Sequence, residues 1–294
     1  MPRTKRENVV RTPTGTLATA CALSVTILVA GCAGGERTTR LSGELFLEPV
    51  ADRGPDPFTE STVTTAAASP AAPAPASRTP ATAQPGPART AGAHGLRSVV
   101  GDTPGLYGGT LHVAGCDVER QIRHLTAEHD RSRAFAEAMG IDAAALPAYL
   151  RGLTPVQLRA DTRVTAHGFR SGHPTTRQSL LQTGTAVLVD NHGVPRLRCV
   201  CGNPLEPPVA LPGAPTARGR AWPAYQSSDV VVVTPAPVAL TTLALVDPAH
   251  GAWIERRLGR SAALDRFVAR PPRPASPDPP PPGGAGVPTG SLPG

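Results

Sequence analysis

Apolar residues along this chain keep a helical spacing in one stretch and a strand-like spacing in another. Val118, Ile122 and Leu125 fall at i, i+4 and i+7, with Glu119, Arg120 and Arg123 on other faces, the pattern of a helix with one side turned inward. Phe135 and Met139 repeat the spacing, and Gly140 follows as a stop. A third short helix is expected over 143–150, and Thr154-Pro155 reads as an N-cap followed by proline at the first helical position. The pattern then changes. Residues 185–189 form a short β-branched run, Asp190-Asn191-His192-Gly193 is turn chemistry, and 194–201 returns as the second arm of a hairpin. Residues 229–234 and 238–246 predict two more strands. These elements predict an α+β domain, with a helical first half and antiparallel β-hairpins in the second half.

Outside that segment the periodicity fades. Leu45, Phe46 and Leu47 predict a short docking strand, and Phe58 a second docking point, within an N-terminal spacer at 32–63. Residues 64–95 are rich in Ala, Pro, Thr and Ser and cannot bury a core; they read as a disordered linker. The globular domain is placed at 96–262, and 263–294 reads as a disordered Pro/Gly-rich tail.

The first residues carry the sharpest signal. Arg3, Lys5, Arg6 and Arg11 precede an apolar stretch over 15–30, which is short against the roughly 20 apolar residues of a bilayer span. It ends in Leu28-Val29-Ala30-Gly31-Cys32, which resembles a bacterial lipobox. The expectation is a lipoprotein signal peptide at 1–31 and lipidation of Cys32, leaving the chain anchored on the outer face of the cytoplasmic membrane.

Composition narrows the function. The chain has 294 residues, of which 30 are Gly and 35 Pro, with only 3% aromatics, so one enzyme domain filling its whole length is disfavoured. The net charge is +7, and the single lysine is Lys5. Export removes nucleic acid as a partner. Arginines concentrate around 150–200, and Arg163, Arg170, Arg196 and Arg198 are candidates for binding an anionic polymer.

Cys116, Cys199 and Cys201 remain outside the membrane, where disulfides persist. Alternation along a strand turns Cys199 and Cys201 inward with Leu197, and Arg196 and Arg198 outward. A bridge from Cys116 to one of the pair would staple helix to hairpin. A metal or redox site and inert thiols are the alternatives, and the odd cysteine could also pair between molecules. Cys-x-Cys lacks the usual zinc spacing, so no metal site and no cofactor are expected. Among the scattered histidines, His167 with Asp190 is a weak candidate for a base and its orienter. No Gly-x-Ser-x-Gly elbow accompanies it.

The runs Leu153-Thr154-Pro155, 158–165 and 167–169 are similar to an actinobacterial domain family of unknown function, as are 184–190, 193–196 and Cys199-Val200-Cys201-Gly202-Asn203-Pro204-Leu205. The resemblance covers about 44–258 and implies an extracytoplasmic domain on a secreted or membrane-tethered lipoprotein. It brings no activity with it. The expected function is therefore a non-enzymatic, lipid-anchored envelope module that binds cell-wall polymer or a protein partner. An envelope hydrolase or thiol-dependent enzyme is the alternative.

Overall fold

A computed structural model of the chain describes residues 43–64, 96–211, 213 and 215–272, all within the compact unit Thr39–Gly294. The expected signal peptide, Cys32 and the segments 65–95 and 273–294 lie outside the described residues.

Among the described residues the first strands are β1 (Glu44–Glu48), β2 (Arg97–Val100) and β3 (Tyr107–Gly108). Three helices follow, α1 (Val118–Thr126), α2 (His129–Met139) and α3 (Leu146–Gly152). Then come β4 (Thr154–Leu158), β5 (Thr162–Arg170), β6 (His173–Leu181), β7 (Ala186–Val189), β8 (Pro195–Arg198) and β9 (Asn203–Glu206). The last strands are β10 (Thr216–Arg218), β11 (Val231–Thr234), β12 (Thr242–Val246), β13 (Trp253–Arg257) and β14 (Arg266–Val268).

The expected α+β arrangement with a helical first half is overturned. The described residues are mostly β, a 14-stranded mixed sheet with three short α-helices. The helices stand where the apolar period predicts them. Asp117 caps α1 by accepting from the Arg120 N–H, and Gly140 ends α2 in the left-handed conformation. The missed strands lack an apolar signature. On β5 and β6, buried Thr165, His167 and Gln178 and half-buried Thr176 bond through polar side chains across the strands, so no hydrophobic alternation marks them.

Thr154-Pro155 opens β4 rather than a helix. Proline is tolerated because β3 pairs with β4 only at Gln157 and Leu158. Opposite Pro155 the guanidinium of Arg256 takes its carbonyl at 2.7 Å instead. Residues 231–234 also form no hairpin with the next strand. β11 runs parallel to β2 and meets β5, whereas β12 pairs with β13 and β3.

The sheet divides the core. Leu188 and Leu197 join Phe135, Leu146 and Leu150 under the helices, while Val187 and Val189 join Val156, Leu245 and Ile254 on the other face. Each such side chain contributes about 1.5–3 kcal/mol on burial. The leading segment is built into this frame. β1 lies between β6 and β10, parallel to both. Phe58 packs fully buried against Phe135 and Phe169, at centroid distances of 5.8 and 5.4 Å. Folded structure also runs past residue 262, through β14.

Candidate functional site

His167 on β5 faces Thr176 on β6 across the ladder. The Thr176 hydroxyl stands 3.2 Å from His167 Nδ1. On the opposite flank β9 pairs with β5, and Glu206 Oε2 stands 2.9 Å from His167 Nε2. Hydroxyl, imidazole and carboxylate thus form one chain across three strands. The carboxylate only accepts, so Nε2–H donates to it, and in the neutral imidazole Nδ1 is left to accept from Thr176. His167 is buried, Thr176 is half-buried and the Glu206 side chain is 43% exposed, which brings the carboxylate end of the chain to solvent, at a rim where β9 ends.

Tyr149 of α3, half-buried against the helical core, lies within electrostatic reach of Glu206. Burial pushes its phenol up to about 12; the charge of Arg196 opposes the rise, and those of Asp190 and Glu206 add to it. The neutral phenol therefore sits within electrostatic reach of all three. Asp190 Oδ2 holds Arg196 Nε at 2.6 Å, and its Oδ1 accepts the backbone N–H groups of His192 and Val194, each at 2.9 Å. Asp190 shapes the β7–β8 turn. The orienter of His167 is Glu206, 39 residues away in sequence and visible only once β9 is paired with β5.

The four arginines singled out as anion binders are all engaged in intramolecular contacts. Arg198 was expected to point outward. It is 0% exposed, with Nη1 2.5 Å from Glu48 Oε2 and Nη2 2.6 Å from the Pro49 carbonyl. The strand alternation holds, but the leading segment covers that face. Arg163 is buried, donates to the Val209 carbonyl at 3.1 Å, and has its pKa lowered by that burial. Arg170 and Arg196 sit on Asp56 and Asp190.

Cys116 and Cys199 form a disulfide. Cys201 is a free, buried cysteine; burial pushes its thiol up, against the opposing charge of Arg198. That holds it neutral and walled in, the reverse of what a nucleophilic thiol needs. Among the described residues, no group of three or more His, Cys, Asp or Glu side chains could hold a metal ion, and no helix is long and apolar enough to cross a membrane.

A family model for a domain of unknown function, DUF6777, matches residues 97–259. The chain belongs to that family. No curated protein and no solved structure matches it. The DUF6777 match includes His167, Thr176, Glu206, Tyr149 and the disulfide. It leaves out β1, Glu48, Phe58 and β14, which the fold nevertheless builds into its core and its sheet.

Proposed function

We propose that this DUF6777 chain is a lipid-anchored binding module of the actinobacterial envelope. Cys32 holds it on the outer face of the cytoplasmic membrane, and the Tyr149–His167–Glu206 rim takes a hydroxyl-rich wall polymer. The observation that carries the reading is the way the rim's polar groups are fixed. His167 is held between Thr176 and Glu206, Arg196 is held by Asp190, and the Tyr149 phenol is kept neutral. Donors and acceptors pre-set in this way lose little freedom when they bond a sugar hydroxyl. The lipobox supports the compartment.

The test is retention of the protein on the wall in cells whose membranes have been dissolved by detergent. Tyr149→Phe with Glu206→Gln should move the protein from the wall to the detergent fraction, about tenfold for each hydrogen bond worth about 1.4 kcal/mol. Unchanged retention would count against the rim. Acyl labelling lost in Cys32→Ala tests the anchor separately.

The Thr176–His167–Glu206 chain favours a second reading, an envelope hydrolase. Thr176 Oγ1 would attack an ester carbonyl carbon as its proton passes to His167 Nδ1, with Glu206 steadying the imidazolium; the ester C–O bond then breaks, the leaving alcohol takes that proton, and water frees the acyl group from Thr176. Ester or wall-fragment hydrolysis lost in both Thr176→Val and His167→Ala would establish it.

A further inference from the structure

Four nitrogen atoms around Glu48 have nothing in the chain to bond. Nη1 and Nη2 of Arg177, Nε of Arg198 and Nδ2 of Asn203 are buried without a hydrogen-bond partner. Of the nine such side-chain atoms among the described residues, these four gather in one place. Their side chains are enclosed, with Arg177 8% exposed, Asn203 1% and Arg198 0%. One carboxylate joins the two guanidinium groups, because Glu48 Oε1 takes Arg177 Nε and Oε2 takes Arg198 Nη1. Asn203 stands directly opposite Arg198 in the β8–β9 register. Its Oδ1 accepts the Phe58 N–H at 3.0 Å, which leaves Nδ2 as the unbonded end of the amide.

The charges of this cluster do not balance. Arg177 and Arg198 bring two positive charges, and Glu48 answers one. Glu44, the other acid of β1, is held by Arg218, with Oε1 2.7 Å from Nε. Cys201 lies within electrostatic reach of Arg198, Glu48 and Arg177, but burial raises its thiol and keeps it neutral. A buried cation left without a counter-charge is costly. The four unbonded atoms are all donors. A water among them would bring two protons of its own to be accepted, whereas an anion brings none. We infer that the cluster binds one small monovalent anion of the halide class, held by the unbonded N–H groups of Arg177, Arg198 and Asn203. A single negative charge completes the balance. The ion ties β6, β8 and β9 together beneath the leading segment, and the site depends on neither the polymer rim nor the anchor.

The experiment is urea unfolding of the full chain in neutral detergent, starting chloride-free in gluconate. Chloride then replaces gluconate at constant ionic strength, so screening stays fixed. Above the dissociation constant, each tenfold rise in chloride should lower the unfolding equilibrium constant about tenfold. Bromide should act as chloride does. Asn203→Asp places a carboxylate beside the two arginines and can still accept the Phe58 N–H. Arg177→Gln removes the surplus charge. Each should abolish the chloride dependence, whatever its own stability. Arg123→Ala, exposed on α1, should keep that dependence in full.

An unfolding midpoint that ignores chloride overturns the inference, as does chloride dependence that survives in Asn203→Asp or in Arg177→Gln. Should neither variant fold, crystals of the wild-type chain grown in bromide decide. An anomalous bromide peak beside Arg177 and Arg198 is the expected result, and its absence overturns the site.

Discussion

Glu48 holds two buried guanidinium groups, Arg177 at 3.0 Å and Arg198 at 2.5 Å, and also accepts from the Ser179 hydroxyl at 2.8 Å. It is itself 2% exposed. Removing its charge would leave two cations buried without a carboxylate, a loss of about 3–5 kcal/mol. Glu48→Gln should therefore lower the urea midpoint sharply. Arg170→Ala breaks a pair whose arginine is mostly exposed and should cost about 0–1 kcal/mol. Equal, small shifts in the two variants would contradict the buried network. Tyr149 gives a pH prediction. Its phenol is raised from 10.0 unfolded to about 12 folded. Its contribution to stability is therefore complete below pH 10 and is lost as pH rises from there to about 12. Alkaline titration of Tyr149→Phe should show a shallower loss over that window. None of this was legible residue by residue. Alternation along β8 set Arg198 apart from Leu197 but wrongly turned it to solvent, because no local pattern revealed that Glu48, 150 positions away, would cover it.

At the scale of elements, the disulfide ties the start of α1 to the end of β8 and closes a separation of 83 residues. Chain entropy puts the stabilisation at about 4.5 kcal/mol. Cys116→Ala with Cys199→Ala should lower the midpoint accordingly, whereas Cys201→Ala should leave the bridge intact by thiol alkylation and mass. A loss of the bridge in Cys201→Ala would assign the pairing wrongly. The three helices were legible because Ile122 and Leu125, Phe135, and Leu146 and Leu150 give each an apolar side. The strands β5 and β6 were not, because their buried face bonds through Thr165, Gln178, His167 and Thr176. The partner of His167 escaped for the same reason. Glu206 ends a proline-containing strand of four residues and reaches the imidazole only through sheet register.

At the scale of the whole molecule, the folded unit exceeds the family match at both ends. A fragment of 97–259 would lose Glu48 from Arg177 and Arg198, Phe58 from the helical core, and Asp265 from Arg256. It should fail to unfold cooperatively, whereas 43–272 should melt in one transition, as calorimetry would show. A cooperative 97–259 fragment would mean that the leading segment is an accessory. The sequence marked Leu45, Phe46, Leu47 and Phe58 as docking points, but it could not show that this segment completes a sheet and an ion cluster.

The measurement that bears most directly on the proposed function is co-sedimentation of residues 33–294 with purified, protein-free wall at low and high salt. The rim's charges are already paired, so binding by hydrogen bonds to polymer hydroxyls should pellet the protein at both salts. Pelleting that vanishes at high salt would move the site to the exposed arginines. No pelleting at either salt would contradict a wall-binding module outright.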